Sequence, residues 1–214
     1  MSANRGARRQ EMPEIVREVF PDQWGQLSLF TELLADEGDK RGLIGPKELP
    51  RIWSRHILNS TAISPFIDEG AKVADVGSGA GLPGMVLAII RPDLHVTLIE
   101  PMERRVDWLH EASEACGVNN VWVARARAED LHGDDEFDVV TARAVAALDK
   151  LMRWTMPLVS EGGRLVALKG ERAQAEVDAA LKVRRKFKVK DTQVHTVAAL
   201  VEDEPPTRVV VVQR

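Results

Sequence analysis

A chain of 214 residues has room for one α/β domain with an appendage and can bury a sizeable core, but two full domains would be crowded. Its net charge of -4 speaks against a protein that coats nucleic acid unspecifically, because that affinity comes from many phosphate contacts. The single cysteine, Cys116, excludes an intrachain disulfide and a cysteine-rich metal site, in keeping with a reducing compartment. Standing before Gly117, it reads as a small helix residue.

The segment Met1 to Gln10 carries Arg5, Arg8 and Arg9 with no apolar run behind it, so it reads as a flexible basic tail and not a signal peptide. The longest apolar runs, such as Met85 to Ile90 and Val209 to Val212, fall far below the roughly 20 residues that span a bilayer, and a cytoplasmic location is expected. Three helical stripes come next: Ile15, Val16, Val19 and Phe20; Trp24, Leu27, Phe30 and Leu34; then Leu49, Ile52, Trp53, His56, Ile57 and Ser60 on one amphipathic face. Residues 1–68 are expected to be a helical extension capping the cleft of a domain at 69–214.

From Ala71 the pattern alternates between strands and helices, the signature of a parallel sheet covered on both faces. Strands are expected at Lys72 to Val76, His95 to Glu100, Val121 to Ala124, Phe137 to Thr141 and Arg164 to Leu168. Helices fall at Gly84 to Ile90, Glu103 to Ala115, Ala146 to Val159 and Glu171 to about Leu181. A strand near Phe187 to Val189 and a last one at Arg208 to Gln213 close the sheet. Lys182, Arg184, Arg185, Lys186, Lys188 and Lys190 read either as a solvated helix end and edge strand or as a phosphate-contacting patch. Glu202, Asp203 and Glu204 lie in the loop that follows.

The stretch Asp75-Val-Gly-Ser-Gly-Ala-Gly-Leu-Pro-Gly84 joins an apolar strand to an apolar helix through four glycines. Glycine suits such a turn because the backbone must reverse, adopt positive φ and let a ligand lie against it. Gly79-x-Gly81-x-x-Gly84 alone matches a dinucleotide fingerprint. Asp75 argues for S-adenosylmethionine (SAM) instead: a carboxylate there suits a ligand carrying an ammonium and a sulfonium and would repel a pyrophosphate. The expected architecture is therefore an α/β class I SAM-dependent methyltransferase sheet with an N-terminal helical extension.

Ligands of open α/β sheets bind beyond the carboxyl ends of the strands. Glu100 ends the second strand, placed to accept both ribose hydroxyls, or else it is a surface carboxylate. Ala128 and Glu129 follow the third strand and would meet the adenine edge, with Asp130 an alternative acid. Arg143 follows the fourth strand and Lys169 the fifth; two cations beside a cationic cofactor call for an anionic or electron-rich companion, which nucleic acid supplies. The competing reading pairs them with Glu100, Glu129 or Asp149. His56 on its apolar face reads as a satisfied core histidine rather than a catalyst, while Arg55 and Asn59 share a flank of that helix and line either substrate or solvent.

Together with Trp53-Ser-Arg-His-Ile-Leu-Asn-Ser60, Arg104-Arg105, Ala142-Arg-Ala and Leu168-Lys-Gly, the glycine turn resembles the glucose-inhibited division protein B (RsmG) family of small-subunit ribosomal RNA methyltransferases. The resemblance implies methyl transfer from SAM to N7 of a guanine in the decoding-centre loop of 16S rRNA, near which streptomycin binds. It implies cofactor contacts at Gly77, Leu82, Ala128, Glu129 and Arg143, added to Asp75, Gly79, Gly81 and Glu100. Arg143 and Lys169 would position the guanine without a general base, and no metal is expected. In the family the acid after the second strand is usually Asp, where this chain has Glu100, and Asn59 stands where Asp is more usual. The substrate would be 16S rRNA or a small-subunit assembly particle, met by a monomer. A small-molecule SAM methyltransferase, a non-catalytic SAM-binding assembly factor and an NAD-linked dehydrogenase are the alternatives.

Overall fold

The structure, a computed structural model, describes residues 9–143 and 145–214. Most of the basic tail, including Arg5 and Arg8, therefore lies outside the described residues. Helices α1 (Ile15–Val19) and α2 (Trp24–Glu37) form where the first two stripes placed them. The third stripe is different: a 3-10 turn at Pro46–Arg51 runs into a π-helix at Ile52–Leu58, with α3 (Asn59–Thr61) as a final turn. The N–H groups of Trp53 and Ser54 donate to Oε1 of Gln10 at 2.9 and 3.0 Å, so they are not held in an α-helical ladder. Pro50 removes a further donor. The Gln10 side chain thus ties the start of the π-helix to the chain some forty positions earlier.

The alternating region gives β1 (Lys72–Val76), α4 (Gly84–Ile90), β2 (His95–Ile99), α5 (Glu103–Ala115), β3 (Val121–Ala124), β4 (Phe137–Arg143), α6 (Leu148–Thr155), β5 (Val159–Lys169), α7 (Ala173–Ala179), α8 (Leu181–Lys186), β6 (Asp191–Val197) and β7 (Thr207–Gln213). The sheet order is β3-β2-β1-β4-β5-β7-β6. Strands β1 to β5 are parallel and β7 lies antiparallel between β5 and β6. The chain moves outward from β1 to β3, then returns to β4 on the other side of β1. That reversal opens a crevice between the ends of β1 and β4.

Two expected elements need correction. The helix read at Ala146 to Val159 stops at Thr155, because Pro157 cannot donate to a carbonyl one turn back, and Val159 already begins β5. No strand forms at Phe187 to Val189. Those residues end α8 in a turn in which Lys188 takes φ +52° and the Val189 N–H donates to the Arg184 carbonyl at 3.0 Å. Pairing starts at Asp191, opposite Gln213.

Successive residues of the central strands face opposite sides, and both sides are covered. Val73, Val166, Leu168 and Val209 join one apolar cluster, which also takes in Leu27, Phe30 and Leu34 of α2 and Trp108 of α5. Ala74, Leu165, Ala167, Val210 and Val212 join a second with α6, α7 and α8. The rings of Phe30 and Trp108 stand 6.4 Å apart, and Arg41 reaches Glu111 at 2.7 Å, fastening the segment before β1 to α5.

Gly84 lets α4 start directly against the sheet: a Cβ there would lie 2.3 Å from Leu98 Cδ2 and 2.7 Å from Asp75 Oδ2. Gly84→Ala is expected to lower unfolding stability by about 1–3 kcal/mol, the usual cost of overpacking a filled site. Denaturant titration checks this; an unchanged midpoint would mean that α4 moves off the sheet without penalty.

Candidate active site

The turn after β1 takes positive φ at Gly77 (+72°), Gly79 (+53°) and Gly81 (+89°), a region that side chains with a Cβ rarely enter. Its backbone is tied down on several sides. Gly77 N–H donates to the Ile99 carbonyl at 2.9 Å, and Gly81 N–H to the Ser78 carbonyl at 2.7 Å. The Ser78 hydroxyl donates to the Asp75 carbonyl at 2.8 Å, and the indole N–H of Trp108 to the Ala80 carbonyl at 3.1 Å. Leu82 is buried at the end of the turn.

Glu100 is almost wholly buried and binds this turn from β2. One carboxylate oxygen accepts the Gly79 N–H at 3.0 Å, the other the Met102 N–H at 3.0 Å, and Arg105 lies 3.8 Å away. The alternative of a surface carboxylate is thereby removed. Each oxygen keeps a second lone pair, the acceptor capacity a ribose would use. After β3, Ala128 is buried and Glu129 exposed on a 3-10 turn at Ala128–Leu131. Asp130 accepts the Arg127 N–H at 3.0 Å and shapes the turn, which separates the roles of the two neighbouring acids.

Beyond β4 and β5 lies an open groove of about 1380 Å³ whose walls include Arg51, Arg55, His56, Asn59, Arg143, Lys169 and Arg208. Arg143 and Lys169 meet here as expected, but their partners are neither Glu100, Glu129 nor Asp149. Arg143 donates to the His56 carbonyl at 3.1 Å, to Ser60 Oγ at 3.4 Å and to Nδ1 of His56. Burial pulls the guanidinium down to about 10. Lys169 donates to the Ala146 carbonyl at 2.5 Å and to Glu176 at 2.8 Å, while Glu176 also accepts the Leu148 N–H at 2.8 Å. Lys169 therefore fastens the loop between β4 and α6. That loop brings Val145 against Gly77, where an added Cβ would sit 3.2 Å from a Val145 methyl.

Asn59 donates to Thr207 Oγ1 at 2.6 Å, and Arg55 stands 3.6 Å from Glu48. Trp108, Glu48 and Glu176 are site residues that sequence reasoning missed. Each acts through a contact set by tertiary packing, and no local spacing marks it. Cys116 is buried, with its thiol pushed up to about 11 by burial, as suits an inert packing residue. The basic run follows α8 to the amino end of the parallel strands: Lys190 N–H donates to the carbonyl of Gln213, which pairs with Arg164 near the start of the parallel part of β5. Arg143 and Lys169 end their strands at the opposite, carboxyl end of the parallel strands. The run is thus a helix and a turn, with no part in an edge strand, and it ends away from the groove.

A family model described as rRNA small subunit methyltransferase G matches residues 23–204. The chain belongs to that family. It is 51% identical over 200 residues to the Ribosomal RNA small subunit methyltransferase G of Beutenbergia cavernae, covering 94% of each chain. It is 52% identical over 198 residues to the protein of that name from Leifsonia xyli, covering 92% of this chain and 94% of the other. Among solved structures, M. jannaschii TYW2 in complex with AdoMet aligns over 74% of both chains with a TM-score of 0.57 and 22% identity. A predicted O-methyltransferase from Agrobacterium tumefaciens aligns over 73% of this chain and 79% of its own, with a TM-score of 0.56 and 19% identity. These likenesses show the class I SAM-dependent methyltransferase fold, whose cofactor is SAM.

The acids at the glycine turn suit the charge of that cofactor. Asp75 has no exposed surface; Oδ2 accepts the Gly84 N–H at 3.1 Å, and Oδ1 has no hydrogen-bond partner among the described residues. Burial first, then the negative charge of Glu100, raise its carboxyl to about 7, against the Gly84 bond, the neighbouring Ser78 hydroxyl and the charge of Arg143. A cationic ligand at the turn would favour the ionised form, so binding would expel a proton from a protonated Asp75. SAM affinity is therefore expected to rise as pH climbs through about 7, and Asp75→Asn to bind more weakly with that dependence removed. Calorimetric titrations from about pH 6 to about pH 8 check this, and an equally steep profile in the variant would assign the proton elsewhere.

Proposed function

We propose that the protein methylates 16S ribosomal RNA at N7 of a guanine in the decoding-centre (530) loop, with SAM as methyl donor. The residues 77–84 turn would carry SAM, with Glu100 toward the ribose and Ala128 and Glu129 toward the adenine. Residues up to about 68 would form the extension that caps the cleft. The family and the names of its relatives support an RNA substrate. The finer reading rests on the chemistry of the groove and on the motifs shared with the RsmG family.

The observation that carries it is the state of His56. Nε2 lies 2.9 Å from Glu48 and Nδ1 faces Arg143, and burial together with the Arg143 charge lowers its pKa to about 4. Such an imidazole is a poor proton acceptor near neutral pH. Of the carboxylates on the groove wall, Glu48 and Glu176 are engaged with His56 and Lys169, which leaves Glu171 and Glu204. N7 of guanine needs no base, because its lone pair is already available. SAM supplies a methyl group activated by the sulfonium. As the N7–carbon bond forms, the carbon–sulfur bond breaks and its electrons stay on sulfur; no proton is transferred.

What the protein must supply is alignment, which can be worth roughly 7–11 kcal/mol of the barrier. Arg143 would hold the target nucleotide, Lys169 would keep the β4–α6 loop in place, and Arg51, Arg55 and Arg208 would meet phosphates along the groove. N7 has to be reachable, which favours loop nucleotides over paired ones.

Labelled SAM incubated with undermethylated small-subunit particles, and separately with naked 16S rRNA, is expected to yield 7-methylguanine in digests of the decoding-centre loop. Label on another base, or on a metabolite alone, would replace this reading. Arg143→Ala is expected to lower transfer about tenfold to a hundredfold, the scale of a lost charge-assisted hydrogen bond. Lys169→Ala is expected to lower transfer while sparing SAM binding. Single-turnover rates and SAM titrations of both variants check this, and a loss of SAM binding in Lys169→Ala as large as its loss of transfer would refute the role given to Lys169.

A further inference from the structure

Three side chains form a line along the groove: Glu48, His56 and Arg143. Glu48 Oε2 and His56 Nε2 are 2.9 Å apart, and the other ring nitrogen meets a terminal nitrogen of Arg143. A guanidinium has donors and no acceptor, so Nδ1 must present its lone pair. The ring proton then resides on Nε2, directed at a carboxylate. The π-helix contributes as well, because the His56 carbonyl accepts both the Ser60 hydroxyl at 2.7 Å and Arg143 at 3.1 Å. Of the five N–H groups of the guanidinium, these bonds engage at most three. At least two remain on a side chain that lines the groove.

We propose that His56, held as the neutral Nε2–H tautomer by Glu48, is a positioning residue that fixes the guanidinium of Arg143 so that its remaining N–H groups meet the target base in one orientation. The inference rests on the reading of Arg143 given above. His56 acts through Arg143 and touches neither substrate nor methyl group. The charged groups around the ring are Glu48, Arg143 and Arg55: the carboxylate favours its protonation, whereas the two arginines and burial oppose it and prevail. A proton on Nδ1 would turn an acceptor into a donor facing a cation, and the orientation would be lost.

Two substitutions divide the ring's contacts. The amide oxygen of H56N can stand near Nδ1 and accept from Arg143, whereas the amide of H56Q reaches toward Glu48 and leaves Arg143 without its acceptor. H56Q is expected to lower kcat about tenfold to a hundredfold with little change in SAM affinity or thermal midpoint, and H56N to regain most of that loss. Equal loss in both variants, or a loss confined to stability, would overturn the proposal. Independently of folding in any variant, ring-nitrogen NMR of the wild-type protein is expected to show a bare Nδ1 and a protonated Nε2, unchanged from about pH 8 down to about pH 6. An Nδ1–H, or titration near the ordinary histidine value, would also overturn it. If the wild type methylates no RNA, the functional reading falls, while the nitrogen pattern still decides whether His56 can hold Arg143.

Discussion

Everything in the site hangs on the contact between Asp75 and Gly84. The buried carboxylate near the end of β1 accepts the N–H of Gly84, the first residue of α4, at a place where a single Cβ would strike both Asp75 and Leu98. Helix and sheet can approach this closely only through glycine, and the intervening backbone must then turn back on itself through positive φ. The cost is a carboxyl removed from water with one oxygen unpartnered. A cation seated on the turn would relieve that cost, so the constraint that builds the turn would also favour a positively charged ligand.

Around this turn the protein is organised by polar side chains bonding to backbone. Glu100 binds Gly79 and Met102, Trp108 binds Ala80, and Glu176 binds Leu148 while pairing with Lys169. Each ties the backbone that follows one strand to an element that follows another. Loops at the carboxyl ends of parallel strands have no ladder of their own, so their geometry depends on such ties. The segment before β1 adds a further wall, bonded to the β4 end through His56 and Arg143 and packed on α5 through Phe30 and Trp108. A groove with preset donors suits a reaction that requires orientation and no proton transfer.

The central elements were legible in the chain because their signals are local. Strands β1 and β3 and helices α4 and α5 begin and end where apolar runs meet glycine, proline or charge, and their bounds agree with the sequence reading. The β6 strand was not legible: Phe187 and Val189 alternate like a strand but close the end of α8, while pairing belongs to a more polar stretch that lies along β7. The π-helix was hidden for a related reason. Its residues satisfy a helical stripe, which a π-helix and an α-helix share over so few residues, and the Gln10 tie at Trp53 and Ser54 comes from a distant part of the chain.

By itself the sequence determined the parallel α/β sheet, the glycine turn, the acid before it and the pair of cations beyond β4 and β5, since period, spacing and residue type are properties of a linear string. Only the tertiary structure decided what those cations do. Lys169 turns to Glu176 and a loop carbonyl, and Arg143 to His56. A charge chooses its partner by distance and burial, and those distances exist only once the chain has folded around them.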